Sequence, residues 1–244
     1  MVLPLDMPDD YIYLPGSGKS TLGDMGELAV RIGSPVSYDR RGSVYWYDDF
    51  EDGISGYSLD LAGTGAAIRY THSYVFRGAL SAKLTGGSTG NKHAGLIKRI
   101  SPALFTTFGL EISYSIAGNV ANIVITFRYY TGTILYEGAA TIEMTNQRAL
   151  FTSPGPVYPP IIPLDIEIND PALFNTSKLV VDMVNLTYLR FMHNQNDYSL
   201  NSGNLVSTPQ VTPARLEAIV LVNSEAGSNG IIYVDNMIVT VGDP

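Results

Sequence analysis

The chain has 244 residues, 45% hydrophobic and 16% charged, with 24 Gly, 14 Pro and 16 Tyr, a composition of many short strands and tight turns. A net charge of −8 without any basic stripe excludes the electrostatic footprint of a nucleic-acid binder. The absence of cysteine excludes disulfides, thiolate metal sites and cysteine nucleophiles.

The opening residues, MVLPLDMPDD, carry acids and prolines where a secretory signal needs a basic patch and an apolar run. No apolar stretch is long enough to span a bilayer, so a membrane is not an expected partner. Residues 1–42 read as an extended arm: Pro4, Pro8 and Pro15 disfavour both helix and central strand. Its apolar residues Leu3, Leu5, Tyr11 and Ile12 are expected to contact neighbouring subunits, which implies a homo-oligomer. PGSGKST (Pro15 to Thr21) resembles the end of a phosphate loop, but Tyr13 stands where that motif needs its first glycine, and a hinge is expected. One short helix is expected at about 24–32, with Asp24 as N-cap, Glu27 as its reciprocal partner and Gly33 as terminator.

From residue 43 to the end the chain reads as one antiparallel β-sandwich domain. VYWYDDFEDG (Val44 to Gly53) holds the only tryptophan, Trp46, in a strand over about Ser43–Phe50, with Val44, Trp46 and Asp48 on one face. Further strands are expected near 66–71, 80–85, 95–100, 108–116, 123–130, 134–144 and 148–152, separated by Gly-rich turns. Ile112, Tyr114 and Ile116 alternate with polar residues, as do Ile123, Ile125 and Phe127, so one face of each strand is buried. Residues 178–200 read as a hairpin in which Val181 and Met183 face the core with Leu189 and Phe191, Asp182 sits opposite Arg190, and Tyr188 lies on the outer face. Asn194 to Pro213 is polar and expected as loop. Leu216–Val222 and Ile231–Val241 close the fold, the first nearly continuous in apolar residues and hence central.

The motifs DFEDG (Asp49 to Gly53), FRGALSAKL (Phe76 to Leu84) and IIYVDNMIV (Ile231 to Val239) resemble the jelly-roll β-sandwiches of carbohydrate-binding modules and lectin-like domains. That resemblance implies a structural calcium, with Asp49, Glu51 and Asp235 as side-chain ligands and backbone carbonyls near Gly78 and Lys83. Clustered carboxylates would repel one another without a cation, and calcium takes several oxygen ligands. A second resemblance, carried by Glu27 to Gly53 together with KLVVDMVNLTYLRF (Lys178 to Phe191), is to uncharacterised structural proteins of tailed bacteriophages.

A glycan site needs exposed rings and planar polar groups, and Arg128 with Tyr130 offers both, with Glu137 and Glu111 as candidate neighbours. In LDIEIND, Asp165 and Glu167 point the same way with Asp170 beyond, superficially like the paired acids of jelly-roll glycosidases; the order of acids differs, and a solvent face is expected. His72, His93 and His193 are scattered, which argues against a zinc site or a triad. The expectation is therefore a non-enzymatic virion structural protein, a phage capsid decoration or tail-associated component that binds other virion proteins. The alternative is an extracellular carbohydrate-binding module.

Overall fold

The computed structural model describes residues 39, 41–89, 92–101, 106–154, 160–168, 170–200 and 203–244. The expected helix over 24–32 and the arm residues Leu3, Leu5, Tyr11 and Ile12 lie outside the described residues. The fold is that of the unit Arg41–Pro244. Its strands run β1 (Ser43–Asp48), β2 (Ser58–Ala62), β3 (Ala67–Thr71), β4 (Ser81–Thr85), β5 (His93–Ile100), β6 (Thr107–Ile116), β7 (Val120–Tyr130) and β8 (Ile134–Glu143). They continue as β9 (Arg148–Phe151), β10 (Ile162–Pro163), β11 (Asn175–Asp182), β12 (Thr187–His193), β13 (Asn196–Ser199), β14 (Val206–Pro209), β15 (Arg215–Ser224) and β16 (Ile231–Val241).

Two eight-stranded sheets form. The first is ordered β13-β12-β11-β6-β16-β4-β3 with β1 also on β16, and the second β10-β9-β8-β7-β15-β5-β2 with β14 on β8. Every pairing is antiparallel, as the alternating strands require. The core lies between the sheets: Phe108, Leu110, Ile112 and Tyr114 of β6 and Ile123, Ile125 and Phe127 of β7 are fully buried. Phe108 meets Phe127 across the sandwich at 6.1 Å between ring centroids. β15 is central as expected, flanked by β7 and β5. Outside the core, Asp243 accepts from Lys178 (2.6 Å), Thr240 (2.6 Å) and Arg190, tying the end of the chain to β11, β12 and β16.

β16 organises the first sheet. One of its edges runs along β6; the other is shared end to end, with β4 on Ile231–Val234 and β1 on Met237–Val241. Asp235 falls at the change, where a register shift between Val234 and Asn236 marks a bulge. A bulge re-aims a side chain. β1 itself ends at Asp48 and not at Phe50, because Asp48 Oδ1 accepts the Phe50 amide at 2.7 Å and Phe50 turns to φ 62°. A second irregularity between Val44 and Trp46 breaks the expected face sharing.

The hairpin of β11 and β12 departs from the expected register. Val180 pairs with Arg190 and Val181 with Tyr188, so Leu189 is the extra residue of a bulge. Tyr188 consequently enters the core, fully buried, while Leu189 is half-buried. Asp182 faces Thr187 instead of Arg190 and accepts from the Val184 and Asn185 amides at 2.8 and 3.0 Å. Burial works against its charge, but these bonds outweigh it and hold the carboxyl below the usual range. The expected loop 194–213 contains two strands, β13 on β12 and β14 on β8. Both lie at sheet edges and are mostly exposed, which removes the alternation that reveals a strand.

Candidate functional site

The outer face of the second sheet carries an ordered set of rows. Glu217 on β15 pairs with Arg99 on β5 and with Arg128 on β7, and Arg128 pairs with Glu137 on β8. One row of alternating charge therefore crosses four strands. Side chains two residues apart share a face, so the next rows are Ile97, Ile219, Thr126 and Ala139, then Gly95, Leu221, Val124 and Thr141. A third brings His93, Asn223, Asn122 and Glu143 together. An aliphatic floor thus lies between a charged row and a polar row, about 20 Å apart along the strands. A depression of ≈ 200 Å³ opens over it, lined by Ile97, Val124, Thr126, Ile219 and Leu221 with Arg128 and Glu137 at one end.

The glutamates of the charged row are satisfied by arginine Nε groups. Arg128 Nε meets Glu137 Oε2 at 2.5 Å, and Glu217 Oε1 receives Arg99 Nε at 3.1 Å and Arg215 Nε at 2.7 Å. Tyr130 donates to Glu217 Oε2 at 3.3 Å, and the Arg215 guanidinium lies 4.5 Å over its ring. Burial disfavours the charge of Arg128, but the Glu137 bond outweighs it and raises the guanidinium pKa further. Burial, followed by the Glu217 charge, pushes the Tyr130 hydroxyl up.

The structure thus brings Arg128, Tyr130 and Glu137 onto one face, but Tyr130 is buried beneath the Arg215 guanidinium, so the expectation of an exposed ring for stacking is corrected. Glu111 is not among them: it sits on β6 in the other sheet, buried. Sequence reasoning missed Arg99, Arg215 and Glu217 and the floor residues Ile219 and Leu221. The signal was present in β15, where charges at 215 and 217 give way to apolar residues at 219 and 221 on the same face.

A second cluster forms at the β16 bulge. Asp235 Oδ2 accepts the Phe76 amide and, at 2.6 Å, the Arg77 amide. Glu51 Oε1 accepts the Ala79 and Leu80 amides at 2.6 and 2.9 Å, and these bonds hold its carboxyl below the usual range. Two carboxylates from opposite ends of the fold therefore fix the loop 76–80. Asp49 is held differently: its Oδ1 accepts the Glu51 amide at 3.3 Å and its Oδ2 the Tyr47 hydroxyl at 3.3 Å.

Burial raises the Asp235 pKa to about 6; the two amides oppose this, and the Glu51 and Asp49 charges add to it. Asp235 Oδ1 is buried and has no hydrogen-bond partner among the described residues. An orphaned carboxylate oxygen on which two further acidic charges act suits a hard cation, and oxygen donors are what calcium takes. Among the described residues no three acidic or histidine side chains stand close enough together to form a ready-made metal site.

The other candidates do separate work. Leu164 and Ile166 are buried in the core, leaving Asp165 exposed and Glu167 half-exposed on the opposite side, and Asp170 Oδ1 accepts the Ala172 amide at 2.9 Å. His193 bonds Ser177 and the Asp165 carbonyl at 2.9 and 3.0 Å, and burial lowers its pKa.

No protein-family model matches the chain, and no curated protein matches it in sequence. Among solved structures it is similar to an endo-β-1,4-glucuronan lyase from the fungus Trichoderma reesei, with TM-score 0.56 and 10% identity over 82% of this chain and 96% of that one. It is also similar to a GH131 β-glucanase catalytic domain from Podospora anserina, with TM-score 0.50 and 13% identity over 83% and 98%. A family 16 carbohydrate-binding module aligns with TM-score 0.39 and 15% identity over 78% and 94%. The expectation of a non-enzymatic protein is thereby corrected, because two of these similar folds belong to a lyase and a catalytic domain and the sandwich does not mark a chain as non-catalytic. At these identities the likeness is one of fold: the chain is a β-sandwich like those of the lyase and the β-glucanase domain.

Proposed function

We propose that the protein is a jelly-roll sandwich that recognises a polysaccharide along the outer face of its second sheet. The observation that carries this reading is the aliphatic floor of Ile97, Val124, Ile219 and Leu221, set between two polar rows on the face turned away from the core. A sheet face that only meets water is normally polar. An apolar strip framed by hydrogen-bonding groups suits a sugar chain, whose C–H surfaces rest on the strip while its hydroxyls reach the rows.

This reading is favoured over virion assembly because it rests on described geometry and on a fold shared with sugar-acting domains. The assembly reading rests on arm residues outside the described set. Recognition is common to binding modules and to catalytic domains, so the proposal concerns binding first. Affinity electrophoresis through gels containing neutral or acidic polysaccharides tests it. The wild-type chain should be retarded by at least one polysaccharide, and Leu221→Asp, at a half-buried floor position, should run freely with an unchanged thermal midpoint. Free migration of the wild type through every gel would overturn it. New reducing ends in the same mixtures would report cleavage of the bound chain.

We also propose a structural calcium at the β16 bulge, with Glu51 and Asp235 as its carboxylate ligands and Asp49 as the third acid. The ion would supply positive charge where the Glu51 and Asp49 charges act on the buried Asp235, joining the β1 loop, the loop 76–80 and β16.

A further inference from the structure

The two guanidiniums of the charged row and that of Arg215, which lies beside Tyr130 in the adjacent row, are held in the same way. Arg99, Arg128 and Arg215 each turn Nε toward a glutamate, and none of their Nη groups has a hydrogen bond among the described residues. The glutamates lie beneath: the Glu217 side chain is 3% exposed, whereas that of Arg99 is 54% exposed. Glu137 is likewise less exposed than its partner Arg128. What this end of the groove shows to solvent is therefore a line of guanidinium forks, with the compensating negative charge sunk into the sheet. This occurs on a chain whose net charge is −8, so the exposed line of guanidiniums is not a consequence of composition.

A guanidinium whose Nε is anchored and whose two Nη groups point outward is pre-organised to bind an oxyanion through paired N–H donors. The anchoring fixes side chains that would otherwise lose rotamer freedom on binding, which lowers the cost of association. Arg215 is fixed further by the ring of Tyr130, 4.5 Å away. We infer that the ligand of this groove is an anionic polysaccharide, whose carboxylate or sulfate groups are held by the Nη groups of Arg99, Arg128 and Arg215 while its sugar rings lie on the aliphatic floor. The inference rests on the glycan reading of the groove and adds the charge of its ligand.

The test compares polymers that share a backbone. Binding of polygalacturonate, its fully methyl-esterified and hence uncharged form, dextran sulfate and dextran is measured by affinity electrophoresis at low salt. The acid polymer should bind at least about tenfold more tightly than its methyl ester, the worth of one charge-assisted hydrogen bond. Preference for polygalacturonate assigns carboxylate as the partner, and preference for dextran sulfate over dextran assigns sulfate. Arg99→Gln should weaken binding of the preferred polymer by about tenfold. It should still fold, because Glu217 keeps Arg215 and Tyr130, and Arg99→Lys should recover part of the loss. Equal binding of charged and uncharged forms would overturn the inference and leave the glycan reading standing. Polyanion binding that is insensitive to Arg99→Gln and to Arg128→Gln would also overturn it, by placing the anion elsewhere. Failure to bind any polymer, neutral or charged, would overturn both.

Discussion

His193 shows how a single buried group shapes the response to pH. Its Nε2 faces the Asp165 carbonyl, so that nitrogen carries the proton, and Nδ1 accepts from the Ser177 hydroxyl. The folded state holds the ring neutral with a pKa below its ordinary 6.5, because burial penalises the charged form. The unfolded chain takes up a proton near that ordinary value, so stability from this site is present above it and is lost as pH falls below about 6.5. Asp235 acts in the opposite sense: its pKa, raised to about 6, makes the folded state the better proton acceptor as pH falls from 6 toward 4. The His193 component is therefore read as the difference between wild type and His193→Gln in denaturant unfolding between pH 5 and 7. The wild type should lose more stability than the variant on acidification, and parallel curves would contradict the assignment.

Tyr188 is a second residue whose role appears only in three dimensions. Its hydroxyl accepts from the Ala139 amide at 2.9 Å and donates to the Thr152 carbonyl at 2.6 Å, bridging the first sheet to β8 and the end of β9. Tyr188→Phe should cost about 1–3 kcal/mol by leaving those buried backbone groups unpaired, measured by urea unfolding. A loss within error would show that water replaces the hydroxyl.

At the scale of elements, the strands read most surely from the sequence are those with one buried face. Ile231–Val241 was expected and found with the same bounds, and the alternation of β6 and β7 placed their core residues correctly. β2, β13 and β14 were not read, because edge strands with exposed residues on both faces carry no alternation. Bulges were equally hidden. The one at Leu189 moved Tyr188 into the core beside Phe191, and the one at Asp235 turned that carboxylate onto the loop 76–80, since a one-residue insertion puts the side chains before and after it out of phase.

The candidate site was half legible for a related reason. Arg128, Tyr130 and Glu137 could be found from adjacent strands of one meander, whereas Arg99 and Glu217 meet them only because β15 inserts between β5 and β7. The loop 76–80 gives a direct test at this scale. Gly78 has φ +76°, and a Cβ there would run into the Glu51 carboxylate. Gly78→Ala should destabilise the protein by about 1–3 kcal/mol through backbone strain and the displaced carboxylate. A neutral effect on urea unfolding would mean that Glu51 does not fix this loop.

For the whole molecule, the two proposals predict separable behaviour. Calcium at the β16 bulge would couple the first strand of the sandwich to its last. Adding calcium at millimolar concentration after chelator treatment should raise the thermal midpoint by roughly 5 °C, and Asp235→Asn should abolish the rise. An identical midpoint with and without chelator would remove the metal. Groove binding lies on the other sheet and should persist in the chelated protein at temperatures where the fold is intact.

The central claim, that the outer face of the second sheet is the recognition surface, is tested most directly by mapping. Backbone amide shifts of the labelled protein are followed while an oligosaccharide from the best-binding polysaccharide is titrated. The account predicts that perturbations concentrate on β5, β7, β8 and β15, around Arg99, Thr126, Glu137, Glu217 and Leu221. Perturbations confined to the first sheet, or to the loop 76–80, would contradict it.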